Sequence, residues 1–240
     1  MPDRAAIVTG ASSGIGLAIA QLLGEEGYGL TVAARRPEKL AAAAEELRAR
    51  GYAVEEVDAN LMEEADIQRV VARHRDRFRR LDVLVNSAGV GIGAPVGEIQ
   101  AKRLDLQLAV NLRAPILFYR ECADMLRAAG AEHRNALVVN LSSISGKSGQ
   151  AWLSVYSATK AALIGFTQAM NKELAGSGVK SVAFAPGFVD TPMAEFVHES
   201  IPPEEMIRPQ DIAEAVRFLL RTSPNCVVPE IVFQRPGETL

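Results

Sequence analysis

The chain has 240 residues, 48% hydrophobic but only 5% aromatic, and its 26 basic and 29 acidic side chains leave a formal charge of −3. That length suits a single domain over residues 1–240 with a large aliphatic core, and the near-balanced charge excludes the basic face of a nucleic-acid or membrane-surface binder. No apolar run reaches the ~20 residues of a bilayer span, and Cys122 and Cys226 lie far apart without metal-ligand spacing, as do His74, His133 and His198.

The opening Met-Pro-Asp-Arg runs straight into a strand pattern, so no signal peptide and a cytoplasmic protein are expected. Strands are expected at Ala5–Thr9, Gly29–Ala34, Ala53–Val57, Val83–Val85, Ala136–Leu141, Lys180–Ala185 and Glu230–Phe233. Helices are expected near 15–26, 38–50, 64–79, 103–129, 155–175 and 210–221. The run Arg73–Arg80 contains Asp76 and reads as a solvated helix face. Val83–Val85 and Ala136–Leu141 are almost wholly apolar, as when helices cover both faces of a parallel sheet. Alternation of strand and helix from end to end predicts a doubly wound α/β fold of about seven strands.

Between the first strand and the first helix stands Thr9-Gly10-Ala11-Ser12-Ser13-Gly14-Ile15-Gly16. A dinucleotide pyrophosphate needs backbone N–H donors at close range and the positive end of a helix dipole. Gly10 permits the turn, Gly14 lets the backbone approach, and Gly16 allows close helix packing. A plain Gly-rich turn capped by Ser12 and Ser13 would carry the same residues. The second strand ends in Arg35-Arg36, with no carboxylate where a ribose 2′-hydroxyl would be bound. Two guanidiniums there suit a 2′-phosphate, so NADP is expected rather than NAD.

Tyr156 and Lys160 share a helix face at i and i+4, after Ser142-Ser143 at the end of a buried strand. A phenol of ordinary pKa ~10 must be shifted by about three units, ~4 kcal/mol, to exchange protons near neutrality. One positive charge at ~4 Å and an effective dielectric of ~20 supplies roughly that much, so Lys160 with an oxidised nicotinamide can make Tyr156 an acid/base. An isolated pair of this spacing more often means a packed Tyr and a solvated Lys. Pro115, four residues after Asn111, cannot donate to the Asn111 carbonyl. A helix broken there leaves that carbonyl free to accept a water.

Taken in order, these motifs resemble the short-chain dehydrogenase/reductase family in its compact single-domain branch, over nearly the whole chain. Thr9–Gly16 matches its TGxxxGxG cradle and Asn86-Ser87-Ala88-Gly89 its N-x-A-G segment, with Ser87 where many members have Asn. The resemblance implies a Rossmann-type sheet and a catalytic set of Ser143, Tyr156, Lys160 and Asn111. Ser143 would bind the substrate oxygen, Lys160 the nicotinamide ribose, and Asn111 a proton-feeding water. The cofactor would lie against Gly10, Ser12, Ser13, Gly14, Ile15, Gly16, Arg35, Arg36, Asp58, Asn86, Ala88 and Gly89. It would continue along Tyr156, Lys160, Pro186, Gly187, Val189 and Thr191. No metal is implied. The activity implied is hydride transfer between NADP(H) and a small-to-medium carbonyl or alcohol.

Ile92, Ser145, Trp152, Leu153, Phe188, Met193 and Phe196 lie around the expected pocket mouth, a partly apolar set that could equally pack the core or a short lid. Small residues Ala158, Ala161, Ala162 and Gly165 on the Tyr–Lys helix suit close helix approach, and the resemblance implies a homodimer or homotetramer. A 3-oxoacyl thioester reductase would need a basic patch for its carrier, for which Arg113 and Lys147 are the candidates. A non-catalytic cofactor sensor could dispense with the catalytic set.

Overall fold

The apolar runs become seven parallel strands: β1 (Arg4–Thr9), β2 (Tyr28–Ala34), β3 (Val54–Asp58), β4 (Val83–Asn86), β5 (Ala136–Leu141), β6 (Val179–Pro186) and β7 (Glu230–Phe233). They pair into one sheet of order β3-β2-β1-β4-β5-β6-β7. This computed structural model describes residues 2–239; Met1 and Leu240, the ends of the expected domain, lie outside the described residues.

Side chains alternate across the sheet because the strand period is two. Ala6 and Val8 of β1 face one core with α1 (Gly14–Glu25), α2 (Pro37–Ala49) and α7 (Pro209–Leu220). Ile7 faces the other with α3 (Glu64–Phe78), α5 (Ala114–His133) and α6 (Ser154–Glu173). Both faces are thus dry, which is why the central strands are mostly apolar on both sides; each fully buried Val, Leu or Ile contributes about 1.5–3 kcal/mol.

From β1 the chain winds outward to β2 and β3, then returns to place β4 on the other side of β1. The order therefore reverses between β1 and β4, opening a crevice beyond their carboxyl ends where Thr9 and Asn86 stand in register.

The helix expected over 103–129 is two helices, α4 (Ala101–Leu108) and α5, joined by one wide turn over Ala109–Arg113 in which the Ala114 N–H bonds to the Ala109 carbonyl five residues back. Pro115 explains the widening, because no N–H is available at the position that would close a normal turn on Asn111.

His74 is fully buried, its Nδ1 2.8 Å from the Thr31 hydroxyl and its Nε2 2.8 Å from the Arg80 carbonyl. A carbonyl only accepts, so Nε2 carries the proton and Nδ1 accepts from Thr31. Burial pulls this imidazole down to about 4.

Candidate active site

The crevice is floored by the glycine turn. Gly10 and Gly14 adopt φ of +67° and +56°, in the left-handed region that side chains disfavour. A Cβ on Gly10 would sit 2.8 Å from the Ala88 backbone, and one on Gly14 2.9 Å from the Thr191 methyl. Gly16 is pressed onto the Gly10 carbonyl oxygen, where a Cβ would lie at 2.5 Å. Ser13 precedes α1 in extended conformation and its hydroxyl makes no capping bond, so the capped-turn alternative fails at that residue. The first-turn N–H groups of α1 thus lack a side-chain cap from Ser13, and such uncapped N–H groups at a helix start suit an anion.

Thr9 ties the two sides of the crevice together. Its hydroxyl accepts from the backbone N–H of Ser87 and of Ala88, both at 3.1 Å, and donates to the Val85 carbonyl at 3.3 Å. Asn86, buried at the end of β4, donates to Asn140 at 2.8 Å, and Asn140 donates to Thr167 on α6 at 2.9 Å. This chain of amides and hydroxyls sets the height of α6 over the sheet.

Arg35 and Arg36 follow β2 on its crevice side and both are exposed. Asp58 ends β3 in register with Ala34, with its carboxylate 3.9 Å from Arg69. The three residues expected at the adenosine end therefore share one rim.

At the other end, Lys160 is buried and its Nζ donates to the Leu141 carbonyl at 2.6 Å, while the Ser142 hydroxyl donates to the Lys160 carbonyl at 2.8 Å. These two bonds lock α6 to the end of β5. The ammonium lies 5.5 Å from the centre of the half-buried Tyr156 ring, and burial pulls it down to about 8. A Cβ on Gly89 would lie 3.5 Å from both Lys160 Nζ and Asn111 Oδ1, so Asn111 and Lys160 face one space. Ser143 accepts from the Ser145 N–H at 3.1 Å and donates to the Pro186 carbonyl at 3.4 Å.

Burial pushes the Tyr156 phenol above its ordinary value, and the neighbouring Ser143 hydroxyl pulls it back only in part. The lowering expected from Lys160 together with an oxidised nicotinamide has this desolvation of the phenolate to offset.

The substrate side divides. Ile92 and Trp152 line a cleft with Ala94, Leu104, Gln107 and Val155. Trp152 has φ +68° and lies flat on Gly93, where a Cβ would run into the indole; its carbonyl accepts from the Ala94 N–H at 2.8 Å. Ser145 is buried, bonding to Ser143, whereas Met193 and Phe196 are 50% and 68% exposed on the segment after Thr191 and do not line this cleft. Phe188 and Leu153 are half-buried outside it. Arg113 pairs with Glu64 at 2.6 Å and Lys147 with Glu230 at 2.9 Å.

Comparison with known proteins agrees with this geometry. The profile of the short chain dehydrogenases matches residues 4–201. The chain belongs to the short-chain dehydrogenase/reductase family. An uncharacterized oxidoreductase of Staphylococcus aureus (strain MW2) is 35% identical over 236 residues, 98% of each chain. Among solved structures, an actinorhodin polyketide ketoreductase variant with NADPH superposes with a TM-score of 0.87 at 31% identity over 95% of each chain. A metagenomic short-chain oxidoreductase in complex with NADP does so at 0.82 and 33% identity over 96% of each.

As a short-chain dehydrogenase/reductase, the chain is an oxidoreductase with the doubly wound seven-stranded sheet that its alternating pattern predicts. Sequence reasoning missed Thr9, Gln107, Gly93 and Thr159, whose hydroxyl accepts from Asn111 Nδ2 at 3.2 Å, as parts of the site. Thr9 is quoted in the cradle motif, but its hydroxyl acts across the sheet on β4, a pairing no local pattern reveals. No helix among the described residues is long and apolar enough to cross a membrane.

Proposed function

We propose that this protein is an NADP(H)-dependent oxidoreductase acting on a small-to-medium, partly apolar carbonyl or alcohol, with Tyr156 as the proton donor and acceptor. The observation that carries the reading is the buried Lys160 ammonium held beside Tyr156 at the carboxyl ends of β5 and α6's first turn, next to a glycine cradle no Cβ could share.

The cradle and rim fit the cofactor. Gly10, Gly14, Ile15 and Gly16 with Ser12 and Ser13 would hold the diphosphate, Arg35 and Arg36 the 2′-phosphate, and Asp58, Asn86, Ala88 and Gly89 the adenosine and its ribose. Lys160, Tyr156 and the stretch Pro186, Gly187, Val189 and Thr191 would hold the nicotinamide half. Bound there, the cofactor supplies or accepts the hydride at the substrate carbon.

In the reducing direction the Ser143 hydroxyl, whose 3.4 Å bond to Pro186 is long and easily exchanged, turns to the substrate oxygen and fixes it. Tyr156 gives that oxygen its proton. The tyrosinate left behind is stabilised by the Lys160 charge, which a dry site strengthens. Asn111, facing the same space as Lys160, belongs to the route by which that proton is restored. Ile92 and Trp152 bound the substrate on the α4 side.

The outer face of α6 supports a homodimer or homotetramer: Ala158, Ala161, Ala162 and Gly165 are all exposed, and a Cβ on Gly165 meets open space. Assay of a panel of ketones and alcohols with both cofactors tests the reading. NADPH-driven reduction of at least one ketone is expected, and equal or better turnover with NADH would overturn the cofactor assignment.

A further inference from the structure

We propose that Arg235 and Glu238 are positioning residues: the turn they build after β7 holds Gly187 and Phe188 in the place the nicotinamide half of the cofactor requires. The inference rests on the NADP(H) reading above.

β6 ends at Pro186, whose carbonyl accepts the Ser143 hydroxyl. The last rung of the sheet is the Gly187 N–H bonded to the Phe233 carbonyl at 2.9 Å. Beyond it the strip is tied on one side only by backbone: Ile207 donates to the Phe188 carbonyl at 3.1 Å and accepts from Asp190 at 2.9 Å. On the other side stands Glu238. A Cβ on Gly187 would run into the Glu238 carboxylate, so the carboxylate occupies the space a side chain at 187 would take.

The turn itself fixes that carboxylate. Glu238 Oε2 accepts from the Arg235 N–H at 3.1 Å, the Glu238 N–H donates to the Arg235 carbonyl at 3.1 Å, and Gln234 Nε2 donates to the Glu238 carbonyl at 3.0 Å. The Arg235 guanidinium lies 6.0 Å over the Phe188 ring, with Nε 3.7 Å from Glu238 Oε1, beyond hydrogen-bond reach. Both side chains are largely buried, at 19% and 10% exposure. Desolvating two opposite charges is costly, and here one packs beside Gly187 and the other over the Phe188 ring. The held strip continues through Val189 to Thr191, whose methyl abuts Gly14.

Dissociation constants for NADPH and for 2′,5′-ADP, which lacks the nicotinamide, separate positioning from general loosening. In Glu238→Ala and in Arg235→Met, NADPH binding weakens about tenfold while 2′,5′-ADP binding stays as in the unsubstituted protein. Glu238→Gln, which keeps an acceptor for the Arg235 N–H and a near-native shape, loses less and serves if the alanine variant does not fold. Equal weakening of both ligands, or no weakening of NADPH, overturns the proposal. A failure of the unsubstituted protein to bind 2′,5′-ADP appears before any variant is compared and overturns the NADP(H) reading together with it.

Discussion

Asn111 and Val90 hold each other by two hydrogen bonds: the Val90 N–H donates to Asn111 Oδ1 at 2.8 Å, and Asn111 Nδ2 donates to the Val90 carbonyl at 2.9 Å. Nδ2 also reaches the Thr159 hydroxyl at 3.2 Å. The side chain is thus a clamp between the wide turn, the segment after Gly89 and α6, while its backbone carbonyl is the group Pro115 cannot cap. Asn111→Ala leaves both Val90 backbone groups without their partner and is expected to cost about 2 kcal/mol in urea unfolding, together with a fall in turnover. Full stability in that variant would contradict the clamp.

Lys160 titrates near 8 because burial disfavours its charge. Carbonyl reduction uses the charged form, so kcat/KM for the reduction falls as pH rises through about 8. Lys160→Arg keeps its charge at every accessible pH. That variant is slower but should lack the decline near 8; a decline that persists in it would assign the limb to another group.

The buried His74 makes stability depend on acid. In the unfolded chain an imidazole takes up a proton below about 6.5, but the folded one does so only below about 4. Between those values the unfolded state binds more protons, so stability is fully present above about 6.5 and drains away as pH falls to about 4. The loss is on the order of 3 kcal/mol. Urea midpoints at several pH values check it, and His74→Asn should show a correspondingly shallower acid dependence between pH 6.5 and 4.

What the chain declares about itself is what is local. The β1-turn-α1 cradle, the Tyr156–Lys160 helix and the run of apolar strands all follow from period and spacing, because backbone sterics and helix geometry act over a few residues. The wide turn at Asn111 was legible through Pro115 for the same reason. What stayed hidden depends on contacts between distant segments. Thr9 reaching Ser87, the Trp152 indole lying on Gly93, and Glu238 seated on Gly187 each join residues set apart by topology. The burial that raises the Tyr156 phenol stayed hidden as well, because a Coulomb estimate from sequence spacing contains no desolvation.

The central claim is that the Tyr156 hydroxyl is the proton donor and acceptor, and Tyr156→Phe tests it most directly. Turnover of a ketone that the unsubstituted protein reduces should fall at least ~100-fold, while NADPH binding persists because the ring and Lys160 remain. Turnover retained in Tyr156→Phe, with NADPH bound as before, would contradict the account.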